Sequence, residues 1–238
     1  MNRDTQSESK NESWRDVWQR VGAKVSEKDG SAFKNVGHTP TSAPMYANRV
    51  SHILNLLPHR PGAIIDYGCG SGVVMRALQT YLTWNPMLIG IDVSEGLLAC
   101  AGQLNPTALF MKADKFPFDS YTSTSNVVAY SIAVLHYLES IEEAMCAVFR
   151  MKNTCGLVYL MNLPNARMRV EREDLRKKNG KAMIPPHLYF DPNTFRDRGF
   201  IVLPSEDLGL FAPECAFDAV WCSSKEVLTK LEVVNGVR

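Results

Sequence analysis

The 238-residue chain is long enough for one α/β domain with a substantial core. Its 26 basic and 25 acidic side chains leave a formal net charge of +1, which excludes a strong field for nucleic acid or an anionic membrane. Six cysteines, at 69, 100, 146, 155, 215 and 222, make no C-x-x-C pair and no zinc spacing with the five histidines. No metal site is therefore expected, and scattered thiols point to a reducing, cytoplasmic setting. The polar first dozen residues lack a signal-peptide core, and no apolar run is long enough to span a bilayer.

Residues 1–13, rich in Ser, Asn, Glu and Asp, read as a disordered tail. Trp14, Val17, Trp18 and Val21 then fall on one face of a helix. Residues 26–44 carry Gly, Ser and Pro and read as a loop. Met45, Val50, Ile53, Leu54 and Leu57 resume helical spacing until Pro58 and Pro61-Gly62 stop it. Ala63, Ile64 and Ile65 form a short apolar run suited to a strand buried on both faces, with Asp66 where that strand leaves the sheet. Gly68, Gly70 and Gly72 follow at alternate positions, and residues 73–82 are helix-compatible.

From there strand and helix alternate, which predicts a parallel sheet with right-handed crossovers. Residues 87–91 form the second strand, ending in Asp92, and Ser94 caps the next helix. Residues 108–111 are the third strand, 126–131 the fourth, 141–151 a helix and 156–161 the fifth strand. A charged insert at about 162–190 interrupts the pattern. Asp191-Pro192 then opens a short helix closed by Gly199, and residues 200–203 and 217–222 read as two closing strands. The last residues, 226–238, read as a tail.

A glycine-rich turn from strand to helix lets backbone N–H groups approach a ligand with no side chain in the way. The dinucleotide fingerprint G-x-G-x-x-G is absent, because Val73 stands where its third glycine belongs. The pattern is instead D-x-G-x-G-x-G, running from Asp66 to Gly72 after a hydrophobic strand. In this the sequence resembles the class I S-adenosylmethionine-dependent methyltransferases over about residues 64–223. The resemblance implies an α/β, Rossmann-like, doubly wound sheet of seven strands, mostly parallel, with a C-terminal antiparallel hairpin strand. It places the cofactor-binding domain at 58–225 and an N-terminal helical cap at 14–57. The 14–21 helix is then either packed on the domain's edge or a lid over the site.

S-adenosylmethionine is the implied cofactor. Gly68, Cys69, Gly70 and Gly72 would wrap its methionine half, and Asp66 would face its ammonium group. Asp92, twenty residues beyond Gly72, would accept from the ribose diol, with Val93 beside it. Asp114, Lys115 and Phe116 would hold the adenine, and Ser131 would stand at the end of the fourth strand. His136, just past that strand, is the candidate general base, since its ordinary pKa of about 6.5 suits neutral pH. The reading packs it alternatively as a core histidine. Asn162-Leu163-Pro164-Asn165 superficially resembles the N-P-P-Y motif of amino-group methyltransferases. It follows the fifth strand rather than the fourth and lacks the aromatic, so it is set aside.

The expected activity is methyl transfer by in-line displacement to a small-molecule acceptor at oxygen or nitrogen, with no nucleic-acid or membrane partner. Two alternatives stand beside it: a catalytically silent partner subunit of the same fold, and an NAD(P)-dependent reductase. The oligomeric state, the acceptor and the pathway are not written in the sequence.

Overall fold

A computed structural model describes residues 12–25, 40–118, 124–168, 187–205 and 216–234. The expected tail before residue 12, most of the 26–44 loop and the centre of the charged insert lie outside the described residues.

The strands are β1 (Ala63–Tyr67), β2 (Met87–Asp92), β3 (Leu109–Lys112), β4 (Thr124–Ile132), β5 (Cys155–Pro164), β6 (Ile201–Pro204) and β7 (Ala216–Cys222). They form one sheet in the order β3-β2-β1-β4-β5-β7-β6. The first five pair in parallel, and β7 runs antiparallel to both β5 and β6. That is the seven-stranded, mostly parallel sheet with an antiparallel closing pair that the sequence predicts, and the strand positions agree to within a few residues.

Helices α1 (Trp14–Gly22), α2 (Ser42–Leu54), α3 (Val73–Leu78), α4 (Glu95–Leu104), α5 (Ile141–Thr154), α6 (Pro192–Arg196) and α7 (Lys225–Val234) complete the described elements. Neighbouring residues of β1 show why the central strands are continuously apolar. Ile64 joins a core shared with Tyr46, Val50 and Leu54 of α2 and Leu78 of α3. Ile65 joins the opposite core, with Val148 and Met151 of α5 and the rings of Phe195, Phe200 and Phe217. A strand covered on both faces has no polar position to spare, and all ten residues of β5 are buried.

Three sequence boundaries need correction. The supposed tail from 226 begins with α7, whose Val227 and Leu231 are buried in the core. Residues 162–164, assigned to the insert, belong to β5. Within the proposed cap, α2 is a core helix, because Ala43, Tyr46, Ala47, Val50 and Leu54 all pack inward.

Strand order reverses direction between β1 and its two neighbours, β2 and β4. In open α/β sheets such a switch point opens a crevice at the carboxyl ends of the strands. The turn after β1 sits there.

Candidate functional site

The turn from β1 to α3 holds Gly68, Gly70 and Gly72 at φ of 80°, 53° and 75°, a region that side chains disfavour. A Cβ on Gly68 would also overlap the Val134 side chain from the end of β4. Space explains that glycine as much as conformation does. The turn is hooked to β2, since the N–H groups of Gly68 and Cys69 donate to the Ile91 carbonyl at 2.7 and 2.9 Å. The Asp92 carboxylate grips the next residues: one oxygen accepts from Gly70 N–H and the other from Ser94 N–H, both at 2.9 Å.

Helix α1 crosses above this floor. Ser13 and Asp16 cap it reciprocally, and Gln19 Nε2 donates to the Val93 carbonyl at 2.6 Å. Its last turn lies backbone to backbone on α4, where a Cβ on Gly96 would overlap the Gly22 carbonyl. At its other end, Trp14 stacks on His187 with ring centroids 5.0 Å apart and meets Tyr137 edge-on at 4.6 Å. Trp18 meets the same Tyr137 at 5.1 Å.

Beneath α1 lies a cavity of about 150 Å³, walled by Tyr67, Gly68, Cys69 and Gly70, by Ile91, Asp92 and Val93, by Ala113, and by Ile132, Ala133 and Val134. Arg15, Trp18, Tyr137, Leu138, Glu139 and Glu143 close its upper side. It continues into a second space of about 510 Å³ bordered by Asp114, Phe118, Cys146 and Arg150.

Burial dominates the electrostatics. It raises the Asp66 carboxyl to about 7, against a lowering hydrogen bond from Tyr130 and with a further push upward from nearby Asp92. The Tyr130 hydroxyl donates to Asp66 Oδ2 at 2.9 Å. Burial also raises Asp92, opposed by the N–H groups of Ser94 and Gly70. It drives the Cys69 thiol well above its ordinary range, with Asp92 and Asp66 adding to the effect, so that sulfur stays protonated.

The structure brings five of the predicted residues to the cavity wall: Gly68, Cys69, Gly70, Asp92 and Val93. Asp66 lies behind the turn, on Tyr130. Gly72 is placed for packing, because a Cβ there would come within 2.6 Å of Asn105 Nδ2. Asp114 borders only the second space. Exposed Lys115 borders neither space. Phe116 is turned into the core, edge-on to Phe118 at 4.5 Å. Ser131 donates to the Tyr67 carbonyl at 2.8 Å, which ties β4 to β1.

The structure does not bring His136, the candidate general base, to the cavity wall. Its ring is fully buried between Tyr137 and His187, at centroid distances of 4.0 and 4.9 Å, and borders neither space. The short 3-10 turn Leu135–Tyr137 directs Tyr137, one residue later, to the cavity instead. The sequence reading also missed Ala113, Ala133, Val134, Leu138, Glu139 and Glu143. For Ala113, Ala133 and Val134 the signal was positional, since they follow the ends of β3 and β4 as Val93 follows β2.

A glycine turn after β1, a carboxylate ending β2 and an antiparallel β7 inserted beside β5 define the class I methyltransferase fold. The comparisons with known proteins agree. Residues 65–160 match the family described as "Methyltransferase domain". A plantazolicin methyltransferase solved with S-adenosylhomocysteine superposes with a TM-score of 0.57 at 15% identity, over 87% of this chain and 93% of the other. The magnesium protoporphyrin IX methyltransferase of Synechocystis, also solved with S-adenosylhomocysteine, gives 0.53 at 17% identity, over 86% and 91%. At such identities the likeness is one of fold. A tRNA (carboxymethyluridine(34)-5-O)-methyltransferase of Saccharomyces cerevisiae is 38% identical over 89 residues, which are 36% of this chain and 29% of the yeast enzyme. The match thus spans under a third of that enzyme's length.

Proposed function

We propose that the chain transfers a methyl group from S-adenosylmethionine to a small-molecule acceptor at oxygen or nitrogen. The observation that carries the reading is the roofed cavity, with the glycine turn and Asp92 as floor and Trp18 meeting Tyr137 above. The cradle fits the cofactor on two counts. Each Asp92 oxygen has spent one lone pair on a backbone N–H and keeps capacity for a ribose hydroxyl. Gly68 and Gly70 leave bare backbone where the amino-acid portion would approach. Val93, Ala113 and Leu138 would flank the base.

When bound, S-adenosylmethionine supplies a methyl group already activated on a sulfonium. The work left to this chain is positional: Asp92 orients, and Trp18 and Tyr137 exclude water. Holding two reactants in line is worth up to about 7–11 kcal/mol. A site of this kind does without a fixed base, which accords with a buried His136.

A small acceptor is favoured over RNA by the electrostatics of the rim. Arg15, Lys112 and Arg150 there alternate with Asp114, Glu142 and Glu143, and Lys112 is paired with Glu95 at 2.9 Å. A groove for phosphates needs clustered positive charge. The free cysteines among the described residues fit a reducing, cytoplasmic setting. No helix among the described residues is long and apolar enough to cross a membrane.

The test begins with calorimetric titration of S-adenosylhomocysteine, where absence of binding defeats the methyltransferase reading and leaves that of a silent partner subunit. Cofactor carrying a labelled methyl group is then incubated with a metabolite extract and, separately, with bulk tRNA. Label in the small-molecule fraction supports the proposal. Label confined to RNA overturns the acceptor assignment, and label in neither leaves the silent-subunit reading standing.

A further inference from the structure

A second polar cluster is buried away from the cavity, where β5 meets β7. Between the pairs Leu160–Ala219 and Leu163–Phe217, two residues of β5 face one of β7, so Met161 and Asn162 form a bulge opposite Asp218. Asn162 has a φ of 57°, left-handed for a residue with a side chain. Asp218, with no solvent exposure, accepts from Asn162 N–H at 3.0 Å, from the Tyr159 hydroxyl at 2.9 Å and from the Arg49 guanidinium. The Asn162 side chain is held from both ends: its amide donates to the Tyr46 hydroxyl at 2.6 Å, and its carbonyl accepts from Ser205 at 2.7 Å.

The bulge has a consequence at the cavity. The Met161 carbonyl, immediately before Asn162, accepts from Ala133 N–H at 3.0 Å. Ala133 is the other left-handed residue with a side chain among the described residues, at a φ of 54°, and it lines the cavity between Ile132 and Val134. Two residues each disfavoured by about 1–2 kcal/mol are thus linked through the Met161–Asn162 peptide, whose carbonyl accepts from Ala133 N–H. Conformations of this kind persist only where their surroundings enforce them, and they gather at functional sites. Here the enforcing element is the carboxylate of Asp218, on a strand that contributes nothing to the cavity wall.

We propose that Asp218 is a positioning residue for the cofactor cavity. By capturing Asn162 N–H it fixes the β5 bulge, and through Met161 it holds Ala133 in the conformation that shapes the wall opposite the glycine turn. Arg49 and Tyr46 tie that arrangement to α2, so the closing strand and α2 both bear on a cavity they do not touch. This proposal rests on the reading that the cavity takes S-adenosylmethionine.

The test uses the full chain with S-adenosylhomocysteine as probe, reading affinity by calorimetry and exchange of the Ala133 amide by hydrogen-deuterium exchange. Asp218→Ala removes the acceptor of the Asn162 N–H. It should weaken S-adenosylhomocysteine by about tenfold, a 1.4 kcal/mol effect, and speed exchange at Ala133. Asn162→Gly keeps the left-handed backbone and its N–H while losing the bonds to Tyr46 and Ser205. It should melt lower yet bind as the wild type does. Asn162→Val cannot hold the bulge and should behave like Asp218→Ala, which provides a reading if the Asp218 variant does not fold. Val227→Ala, in buried α7, controls for general destabilisation and should change neither readout. Unaltered affinity and Ala133 exchange in Asn162→Val overturns the proposal, as does loss of affinity in Val227→Ala that tracks melting temperature. Failure of the wild-type chain to bind the probe refutes the cofactor reading instead.

Discussion

Replacing Asp66 by Asn should flatten the pH dependence of stability. Asp66 is 3% exposed, and burial, partly offset by Tyr130, lifts its carboxyl from 3.8 to about 7. Below pH 3.8 the group is protonated whether the chain is folded or not. Between about 4 and 7 the unfolded chain has lost this proton while the folded one keeps it. Stability therefore falls as pH rises through that window, by about 1.4 kcal/mol per pH unit. The full span is on the order of 4 kcal/mol, and about 2–4 °C of melting temperature accompanies each kcal/mol in a chain of this size. Asn has nearly the same shape, accepts the same Tyr130 hydroxyl and carries no charge to bury. In the absence of ligand, the variant should gain on the wild type by roughly 5–10 °C between pH 5 and pH 8. Denaturation followed at pH 5, 6, 7 and 8 measures this directly. Asp92 and Asp218 are raised as well, but both chains share them, so the difference isolates Asp66. Parallel pH profiles for the two chains would show that Asp66 is not held near neutrality, and the argument from its burial would fail.

Three further outcomes are expected from the cavity. Asp92→Ala leaves the N–H groups of Gly70 and Ser94 without their acceptor and removes charged hydrogen bonds worth about 1.5–3 kcal/mol each. S-adenosylhomocysteine affinity should drop at least about tenfold, and unchanged affinity in calorimetry would reduce Asp92 to a structural cap. Gly68→Ala forces a side chain into a left-handed turn at about 1–2 kcal/mol and against Val134, so it should both lower the melting temperature and weaken the same ligand. Deleting residues 1–25 removes α1 with Trp14, Trp18 and Gln19. The core should stay folded while ligand dissociation, followed by stopped flow, accelerates by about tenfold or more, and an unchanged rate would show that α1 is not a lid.

The glycine-turn half of the candidate site was legible because its determinants are local. Three glycines within five residues, a carboxylate at one strand end and another at the next act through backbone geometry that short spacing already encodes. The strand order was legible for a similar reason, since a parallel sheet covered on both faces writes itself as separated apolar runs. The carboxyl-terminal helix was missed although Val227, Leu228, Leu231 and Val234 fall at helical spacing, with Val227 and Leu231 buried. Of the residues expected to hold the adenine, Asp114 borders the second space, while Phe116 packs in the core.

The upper half of the site resists sequence reading for a deeper reason. Trp14, Tyr137 and His187 lie in three distant segments, and nothing in their local spacing says that their rings converge. The same holds for Tyr46, Asn162, Ser205 and Asp218, which the fold gathers from α2, β5, the end of β6 and β7. His136 shows the difficulty in one residue. Its position just past β4 was read correctly, yet a 3-10 turn there rotates successive side chains by about a third of a turn each. Direction rather than position decides which of His136 and Tyr137 faces the cavity, and direction is set by the rings packed against them. A class that performs its chemistry by alignment leaves its cofactor written in short motifs and its acceptor in tertiary packing. Acceptor specificity in this chain should therefore answer to substitutions at Trp18 and Tyr137 before it answers to any titratable group.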